Sequence, residues 1–242
     1  MPAGRDLNVA DEIAQNSLDG IDLLAPLSPD ERAAVARQCR WRRYAPQEQI
    51  IDRQSQNRDV YLVIKGSVRI VIYSLSGKEL TLDDLGAGYY FGELAAIDGH
   101  PRSASVMALV ETQVAVLPAE VFMRLVTTHE GMMHMLLKRL ASMVRTSTDR
   151  IIDLSTLGAN NRVHAELLRQ ARAAGINDDG SAVLSPIPVH GDIASRVSTT
   201  RETVARVLND LARQRLVRRD RDALVILDVE KLEEIVESVR GE

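Results

Sequence analysis

The spacing of hydrophobic and polar positions changes twice along the chain. Between Gln49 and Leu117 the apolar residues lie in short β-branched segments, such as DVYLVIKGSVRIVIYS and SASVMALVETQVAVLP, which are separated by glycines. Short strands with glycine turns predict a small antiparallel barrel or sandwich. Ahead of them, SPDERAAVARQCRW predicts a helix that Ser28 caps and Pro29 begins.

Beyond Pro118 the apolar spacing becomes helical. AEVFMRLVTTH predicts one helix, and the stretch from Glu130 to Leu157 predicts a longer one. Six positions of the longer helix follow each other at alternating spacings of three and four residues: Leu137, Leu140, Val144, Ser147, Ile151 and Leu154. This seam suits pairing between two copies of the chain, that is, a homodimer. The alternative, a helix packed on its own domain, stays open because about three heptads do not decide the question.

The last third of the chain predicts a second domain, which begins between Gly158 and Arg162. NRVHAELLRQARAAG predicts a helix that ends at Gly175, and INDDGSAVLSPIP predicts a linker with a strand. HGDIASRVSTTRETVARVLNDLARQRLV predicts two helices around a tight turn, the second of which opens with a capping box of Thr199 and Glu202. VRRDRDALVILD predicts a wing hairpin, and KLEEIVESV predicts a closing amphipathic helix.

The second of these two helices distributes its apolar and charged residues as a DNA-reading helix does. One face is apolar and carries Val204, Val207, Leu208 and Leu211. On the other faces, Arg201 and Arg206 suit hydrogen bonds to the edge of guanine, and Glu202 suits a hydrogen bond from the amino group of cytosine. Three further residues suit phosphate contacts: Thr200, Thr203 and Arg213. The alternative from the residues alone is a solvated amphipathic helix with incidental arginines.

Composition narrows the class of protein. The 242 residues and 26.7 kDa suit two domains, and no apolar run approaches the roughly 20 residues that cross a bilayer. The N-terminal MPAGRDLNVADEIAQ lacks the apolar core of an export signal, which predicts a cytoplasmic protein without a membrane partner. The net charge is −4, but residues 190–222 carry +3, and this asymmetry hints at a nucleic-acid surface.

Metal and redox chemistry find little support in the composition. Cys39 is the only cysteine, which excludes an internal disulfide and a cysteine-built metal or iron–sulfur site in one chain. The five histidines show no metal-ligand spacing, so we expect no metal. We also find no nucleophile–base pairing and no Walker-type loop, and we expect no enzyme activity.

The stretch FGELAAIDGHPRSA concentrates the remaining chemistry. Arg102 suits a two-pronged contact with a phosphate, and Ser103 adds a donor. Glu93 is a carboxylate among apolar residues and needs a donor such as a sugar hydroxyl. A small nucleotide would satisfy both groups. The alternative is a salt bridge between Glu93 and Arg102 that stabilises the loop, and the residues alone leave both interpretations open.

Two motifs carry a resemblance to a known family. FGELAAIDGHPRSASV resembles the phosphate-binding cassette of cyclic-nucleotide-binding domains, and STTRETVARVLNDL resembles the recognition helix of the Crp/Fnr (catabolite activator) family of bacterial transcription regulators. The resemblance runs from about Leu24 to Glu234 and keeps the family's order. It implies an α+β chain with a jelly-roll-like cyclic-nucleotide-binding β-barrel (1–128), a long dimerisation helix (129–158) and a winged helix-turn-helix (159–242).

The resemblance also implies roles for single residues. Glu93 would accept from the ribose 2′-hydroxyl, and Arg102 and Ser103 would hold the cyclic phosphate. Two residues would shape the turn, Gly92 and Leu94, and two from the long helix would reach the purine, Ser147 and Thr148. The base-contacting pattern of the family matches Arg201, Glu202 and Arg206.

The implied effector is cyclic AMP, with cyclic GMP as the alternative, and no prosthetic group. The implied partners are a second copy of the chain, a near-palindromic DNA site and RNA polymerase. Effector binding would change how the long helices pair and so reorient the recognition helices. Two other readings stay open: a family member that answers another signal or none, and a cyclic-nucleotide-binding subunit that acts on proteins.

Two stretches depart from the family's pattern. DRQSQNRDV lacks a glycine that relatives often have before the next strand, so we expect a differently shaped loop beside an intact pocket. RRDRDAL places aspartates in the predicted wing, which puts a DNA contact by that hairpin in doubt.

Overall fold

A computed structural model describes residues 17–74, 77 and 79–240. Residues 1–16, which bear on the prediction about export, lie outside the described residues. Of the described residues, 17–74, 77 and 81–142 form a first compact unit, and 79, 80 and 143–240 belong to a second. The finer division into 1–128, 129–158 and 159–242 stays a prediction.

The first unit contains the predicted strands and the first helices. Its helices are α1 (Pro29–Ala36), α2 (Glu93–Asp98) and α3 (Ala119–Thr128), and α4 (Glu130–Thr156) begins in it. Its strands are β1 (Arg40–Tyr44), β2 (Gln49–Ile51), β3 (Val60–Lys65), β4 (Ser67–Tyr73), β5 (Glu79–Gly86), β6 (Tyr90–Phe91), β7 (Ser105–Ala108) and β8 (Thr112–Leu117). The start of the predicted helix at Ser28 is confirmed, since Ser28 and Glu31 form a reciprocal capping box and Pro29 begins α1. Its predicted end is wrong, because α1 stops at Ala36 and the last two residues of SPDERAAVARQCRW, Arg40 and Trp41, belong to β1.

The described strands of this unit form two four-stranded sheets. Their orders are β1-β8-β3-β6 and β2-β7-β4-β5, and the pairings with resolved register are antiparallel. The predicted barrel is therefore an open, jelly-roll-like pair of sheets, and the α+β class is confirmed. Gly66 allows the tight turn from β3 to β4, because its φ is +88° and a Cβ there would lie 2.5 Å from the Glu111 carbonyl oxygen.

Alternate residues of β3 and β8 face two different cores. Val60 and Leu62 pack in a cluster with Phe122 and Leu125 of α3, whereas Tyr61 and Val63 pack in a cluster with apolar residues of the second sheet. This period of two is the ordinary geometry of a strand. It explains why VYLV is apolar throughout: both faces of the strand are covered.

The second unit holds the predicted helix-turn-helix. It contains α5 (Ala159–Ala174), β9 (Ala182–Leu184), α6 (His190–Arg196), α7 (Arg201–Arg213), β10 (Val217–Asp220), β11 (Ala223–Ile226) and α8 (Val229–Arg240). The strands pair antiparallel in the order β10-β11-β9, and β10 and β11 form the predicted wing hairpin. The predicted strand before α6 and the closing amphipathic helix are both confirmed.

Apolar side chains of α7 close the core of this unit. Val204, Val207 and Leu211 are buried with residues of α5, α6 and α8, as the helical spacing predicts. The charged face of α7 therefore turns outward.

The seam of α4 is largely uncovered in the single chain. Leu137 is 57% exposed, Val144 66% and Ile151 64%, whereas Leu140 is half-buried against the core of the first unit. Among the described helices, including this one of 27 residues, none is both long enough and apolar enough to cross a bilayer.

Candidate functional site

The stretch FGELAAIDGHPRSA folds around the short helix α2. Gly92 precedes the helix with a φ of 86°, and Gly99 follows it with a φ of 71°. Residues with a Cβ pay a steric penalty in this left-handed region, so glycine suits both ends. A Cβ on Gly92 would also lie 2.6 Å from Nη1 of Arg102. The backbone before Glu93 and the guanidinium of Arg102 are thus packed directly against each other.

Arg102 is buried, with 4% of its surface exposed. Its Nη1 donates to the Gly92 carbonyl at 2.7 Å, and its Nη2 donates to the Asp59 carbonyl at 2.7 Å and to Oδ1 of Asn57 at 3.1 Å. Its Nε is buried and has no hydrogen-bond partner in the described part of the chain. Three of the five N–H groups of the guanidinium are thus used, and the one on Nε is buried and left for a further acceptor.

Glu93 is equally buried, at 4% exposure. Burial raises the pKa of this carboxyl, and the positive charge of Arg139, its own backbone N–H and the charge of Arg102 act in the opposite direction. Within the described residues no ion pair joins Glu93 to Arg102, because the donors of Arg102 point to carbonyls and to Asn57. The alternative of a Glu93–Arg102 salt bridge finds no support in this geometry.

Arg139 on α4 is the residue of this site that the sequence reasoning missed. Its Nη2 donates to the Tyr90 carbonyl at 2.8 Å, and its guanidinium carbon lies 4.3 Å from the centre of the Tyr90 ring. Its charge opposes the burial penalty of Glu93 more than that of Arg102 does. The only signal in the sequence was an arginine within a long predicted helix. That signal does not indicate which carboxyl group lies near its charge.

The remaining effector residues predicted from the sequence lie at less enclosed positions. Leu94 is half-buried in the first turn of α2, and Ser103 is exposed directly after Arg102. Ser147 and Thr148 are exposed on the part of α4 that belongs to the second unit, and the Thr148 hydroxyl donates to the Val144 carbonyl at 3.0 Å. The first unit therefore brings together Gly92, Glu93 and Arg102, with Leu94 and Ser103 beside them in the chain.

The predicted DNA-reading residues share the outer face of α7. Arg201, Glu202 and Arg206 are exposed. Nη2 of Arg206 donates to Oδ1 of Asn160 at 3.2 Å, and Arg213 is paired with Asp210 one turn earlier. Thr203 is half-buried, and exposed Thr200 lies at the start of the helix. The face offers two guanidinium groups and a carboxylate near the N-terminal end of the helix, which suits base edges in a major groove.

The predicted capping box is wrong by one residue. The cap of α7 is Thr200, whose hydroxyl accepts from the Thr203 amide at 3.2 Å. The backbone N–H of Thr199 instead donates to the Ala194 carbonyl, after a turn in which Ser198 has a φ of 52°. Thr199 thus closes the turn after α6, and Thr200 has the extended backbone that a cap requires. Its hydroxyl also helps to lower the pKa of Glu202, after the backbone N–H of that glutamate.

Known proteins match both halves of the chain. The family model of the cyclic nucleotide-binding domain matches residues 41–129, and that of the Crp-like helix-turn-helix domain matches residues 161–235. The chain is 32% identical over 218 residues to the cyclic AMP receptor protein of Thermus thermophilus, an alignment that covers 90% of this chain and 98% of that relative.

Solved structures share the fold at lower identity. A CooA variant from Carboxydothermus hydrogenoformans has a TM-score of 0.78 at 24% identity, covering 92% of this chain and 98% of that one. The c-di-GMP-responsive regulator CLP of Xanthomonas campestris has a TM-score of 0.65 at 19% identity, covering 78% and 94%. The two matched domains and the full-length relative show that this chain belongs to the Crp/Fnr family of transcription regulators, a family of cyclic-nucleotide-binding, DNA-binding proteins rather than enzymes.

Proposed function

We propose that this regulator binds a cyclic nucleotide in the first unit, with cyclic AMP as the favoured effector and cyclic GMP as the second candidate. One observation carries the proposal: Arg102 and Glu93 are both buried on the same loop without pairing with each other, and Nε of Arg102 has no partner among the described residues. The likeness to the cyclic AMP receptor protein of Thermus thermophilus supports the choice of nucleotide.

The loop would hold the two ends of the effector. Arg102 supplies a positive charge and a free N–H for the cyclic phosphate, and the Ser103 hydroxyl is a second donor. The Glu93 carboxylate accepts from the ribose 2′-hydroxyl, while Gly92 and Leu94 shape the turn. A bound hydroxyl would give the buried carboxylate a donor that water cannot supply there.

We further propose that the effector acts through α4. Ser147 and Thr148 would contact the purine, and the exposed seam of α4 would pair with the same seam of a second copy. A nucleotide that touches both the pocket and the paired helices changes how those helices pack. The two recognition helices are thereby reoriented.

On DNA, α7 would enter the major groove of a near-palindromic site. Arg201, Glu202 and Arg206 would read bases, and three residues would hold phosphates: Thr200, Thr203 and Arg213. Since its target is DNA, we propose that the homodimer acts in the cytoplasm with RNA polymerase as a further partner.

Calorimetric titration with cyclic AMP and cyclic GMP tests the effector. We expect heat of binding with at least one nucleotide, and its loss in Arg102→Leu. A DNA mobility-shift experiment at stated salt should then show tighter binding with that nucleotide present, since phosphate contacts depend steeply on ionic strength. The absence of binding heat with either nucleotide would favour a regulator that responds to another signal. The structural relative CLP is such a regulator, since it responds to c-di-GMP. Nucleotide binding without DNA affinity would favour a subunit that acts on proteins.

Glu202→Ala tests the readout by α7. We expect a changed base preference at one position of the selected site, with about 1 to 3 kcal/mol lost for the preferred base pair. Arg213→Ala is the control for a phosphate contact and should weaken binding by a similar factor on every sequence. An equal loss on all sequences for Glu202→Ala would contradict its role in base reading.

A further inference from the structure

The loop before β3, from Asp52 to Asp59, contains no glycine. Oδ1 of Asp52 accepts from the Gln54 amide at 2.9 Å, and its carbonyl accepts from the Ser55 amide at 2.9 Å. The Arg53 amide donates to the Ser105 hydroxyl at 3.1 Å. Side-chain acceptors thus shape this loop, so that none of its residues needs a left-handed backbone.

One oxygen of this loop reaches the arginine of the effector site. Oδ1 of Asn57 accepts from the Asp59 amide at 2.7 Å and from Nη2 of Arg102 at 3.1 Å. The Asp59 carbonyl accepts from the same Nη2 at 2.7 Å. Asn57 therefore links the fold of the loop to the position of a side chain 45 residues later in the chain.

We infer that Asn57 is a positioning residue for Arg102 in effector binding. The inference rests on the proposed function, in which Arg102 holds the phosphate. Of the three acceptors of Arg102, Asn57 supplies the only side chain, and the other two are carbonyls of the backbone. A substitution can therefore remove the Asn57 acceptor, whereas the two backbone carbonyls are present with any residue type.

The physical reason is orientation of the guanidinium plane. With both Nη groups held by protein acceptors, rotation of the guanidinium is restricted and Nε keeps one direction. A ligand group that is already oriented loses less entropy when the phosphate binds. Without the Asn57 oxygen, Nη2 keeps one acceptor and the loop loses the bond that fixes the Asp59 amide.

Asn57 is itself held in place. Its Nδ2 lies 3.3 Å from Oδ2 of Asp59, and the same carboxylate pairs with Arg40 of β1. The amide group therefore has a defined orientation in spite of its exposed position. A substitution at Asn57 changes the support of Arg102 without opening a cavity in the core.

Three variants separate the role toward Arg102 from the role within the loop. Asn57→Ala removes both hydrogen bonds of the oxygen. Asn57→Ser keeps an acceptor for the Asp59 amide, as serine does in turns of this kind, but is too short to reach Arg102. Asn57→Asp keeps an oxygen within reach of Arg102, although it replaces the Nδ2 donor with an acceptor beside the Asp59 carboxylate. Gln56→Ala, at an exposed neighbouring position, is the matched control.

The first readout is calorimetric affinity for the cyclic nucleotide that binds wild type. We expect Asn57→Ala and Asn57→Ser to weaken binding by about tenfold, the worth of one hydrogen bond to a charged group, and Gln56→Ala to leave it unchanged. The midpoint of thermal unfolding should stay close to that of wild type in all four variants. Wild-type affinity in Asn57→Ser would overturn the inference, because the loop alone would then explain the contact.

The second readout needs no nucleotide. Exchange of the Arg102 Nε proton with solvent, followed by NMR in the free protein, should be slow in wild type and in Asn57→Asp. We expect faster exchange in Asn57→Ala and Asn57→Ser, and equal rates in all variants would again refute the role. If wild type binds neither cyclic nucleotide, the proposed function fails, and the exchange rates still show whether Asn57 positions Arg102.

Discussion

At the scale of the residue, Glu93 and Arg102 each give up water when the first unit folds, and each needs replacement partners. Arg102 finds them in two carbonyls and an amide oxygen. Glu93 depends on the charge of Arg139 and on its own backbone N–H. A buried ion is costly unless it is compensated, and here each group has its own partners, so that neither depends on an ion pair with the other.

Gly92 packs directly against the guanidinium of Arg102, and this leads to a first prediction. Gly92→Ala should lower the free energy of unfolding by about 1 to 2 kcal/mol, the cost of a left-handed backbone for a residue with a Cβ, and should also weaken nucleotide binding by displacing Arg102. Gly99→Ala pays the same backbone cost, but its Cβ would lie 3.4 Å from the nearest atom of Arg58. Urea unfolding and calorimetry check both variants, and equal affinities in the two would contradict the displacement.

The raised pKa of Glu93 predicts a pH dependence of stability. As pH rises from the ordinary value of 4.5 through the raised pKa, wild type must ionise a buried carboxyl and loses stability. The variant Glu93→Gln has no ionisable group at this position. We therefore expect its free energy of unfolding to increase relative to that of wild type across this window. Above the window the difference should be constant. Urea unfolding at a series of pH values measures it, and a difference that shrinks as pH rises would show that Arg139 and Arg102 outweigh burial.

At the scale of the element, the start of α7 is decided by a turn rather than by the helix sequence. Two neighbouring threonines each have the side chain of a cap, but the Ala194 carbonyl binds the Thr199 amide and leaves Thr200 to begin the helix. Arg201, the first of the proposed base-reading residues, is consequently the first residue of α7. A cap one residue earlier would rotate the polar face of the helix by about 100° relative to its start.

Thr200→Ala should therefore cost about 1 kcal/mol in the free energy of unfolding, as loss of a threonine cap does. Thr199→Ala is the matched control and should cost roughly 0.5 kcal/mol or less, because its described contact is made by the backbone. Thermal and urea unfolding of the two variants measure the difference. A larger loss in Thr199→Ala would restore the capping box that the sequence predicts.

At the scale of the whole molecule, α4 carries an apolar seam that the single chain leaves open. Val144 and Ile151 are exposed by about two thirds, and Leu137 by more than half. Exposed apolar residues in such a row along a helix mark an interaction surface rather than scattered surface residues. A second copy of the chain presents the same row, which suits a symmetric pair.

Val144→Glu should shift the protein toward monomers. An uncompensated charge in the paired seam costs several kcal/mol, so we expect the dimer dissociation constant to rise by about a hundredfold or more. Ser142→Glu adds the same charge at an exposed position two residues earlier, on the opposite side of the helix from the seam, and should leave association unchanged. Sedimentation equilibrium measures both, and wild type that is monomeric throughout would contradict the predicted pairing.

Local patterns in the sequence were sufficient for most of the elements and for the two motifs, but not for the short helix α2 or the end of α1. Short β-branched segments between glycines predicted the strands, spacing of three and four predicted α4 and α7, and Gly92 and Gly99 marked the ends of a turn. These features depend on neighbours within one or two turns of chain, and their stereochemistry is the same in any fold. The chemistry of Glu93 and Arg102 could be recognised for the same reason.

Partners across the fold were decided only by the tertiary structure. Asn57 and Arg102 are 45 residues apart, and Arg139 and Tyr90 are 49 apart. No local rule selects such pairs, because several carbonyls and carboxylates compete for each guanidinium, and the packing of sheets and helices determines which one is in reach. The sequence by itself determined that Glu93 and Arg102 belong to one site. The packing decided that the loop before β3 holds Arg102 and that the charge of Arg139 on α4 opposes the burial penalty of Glu93.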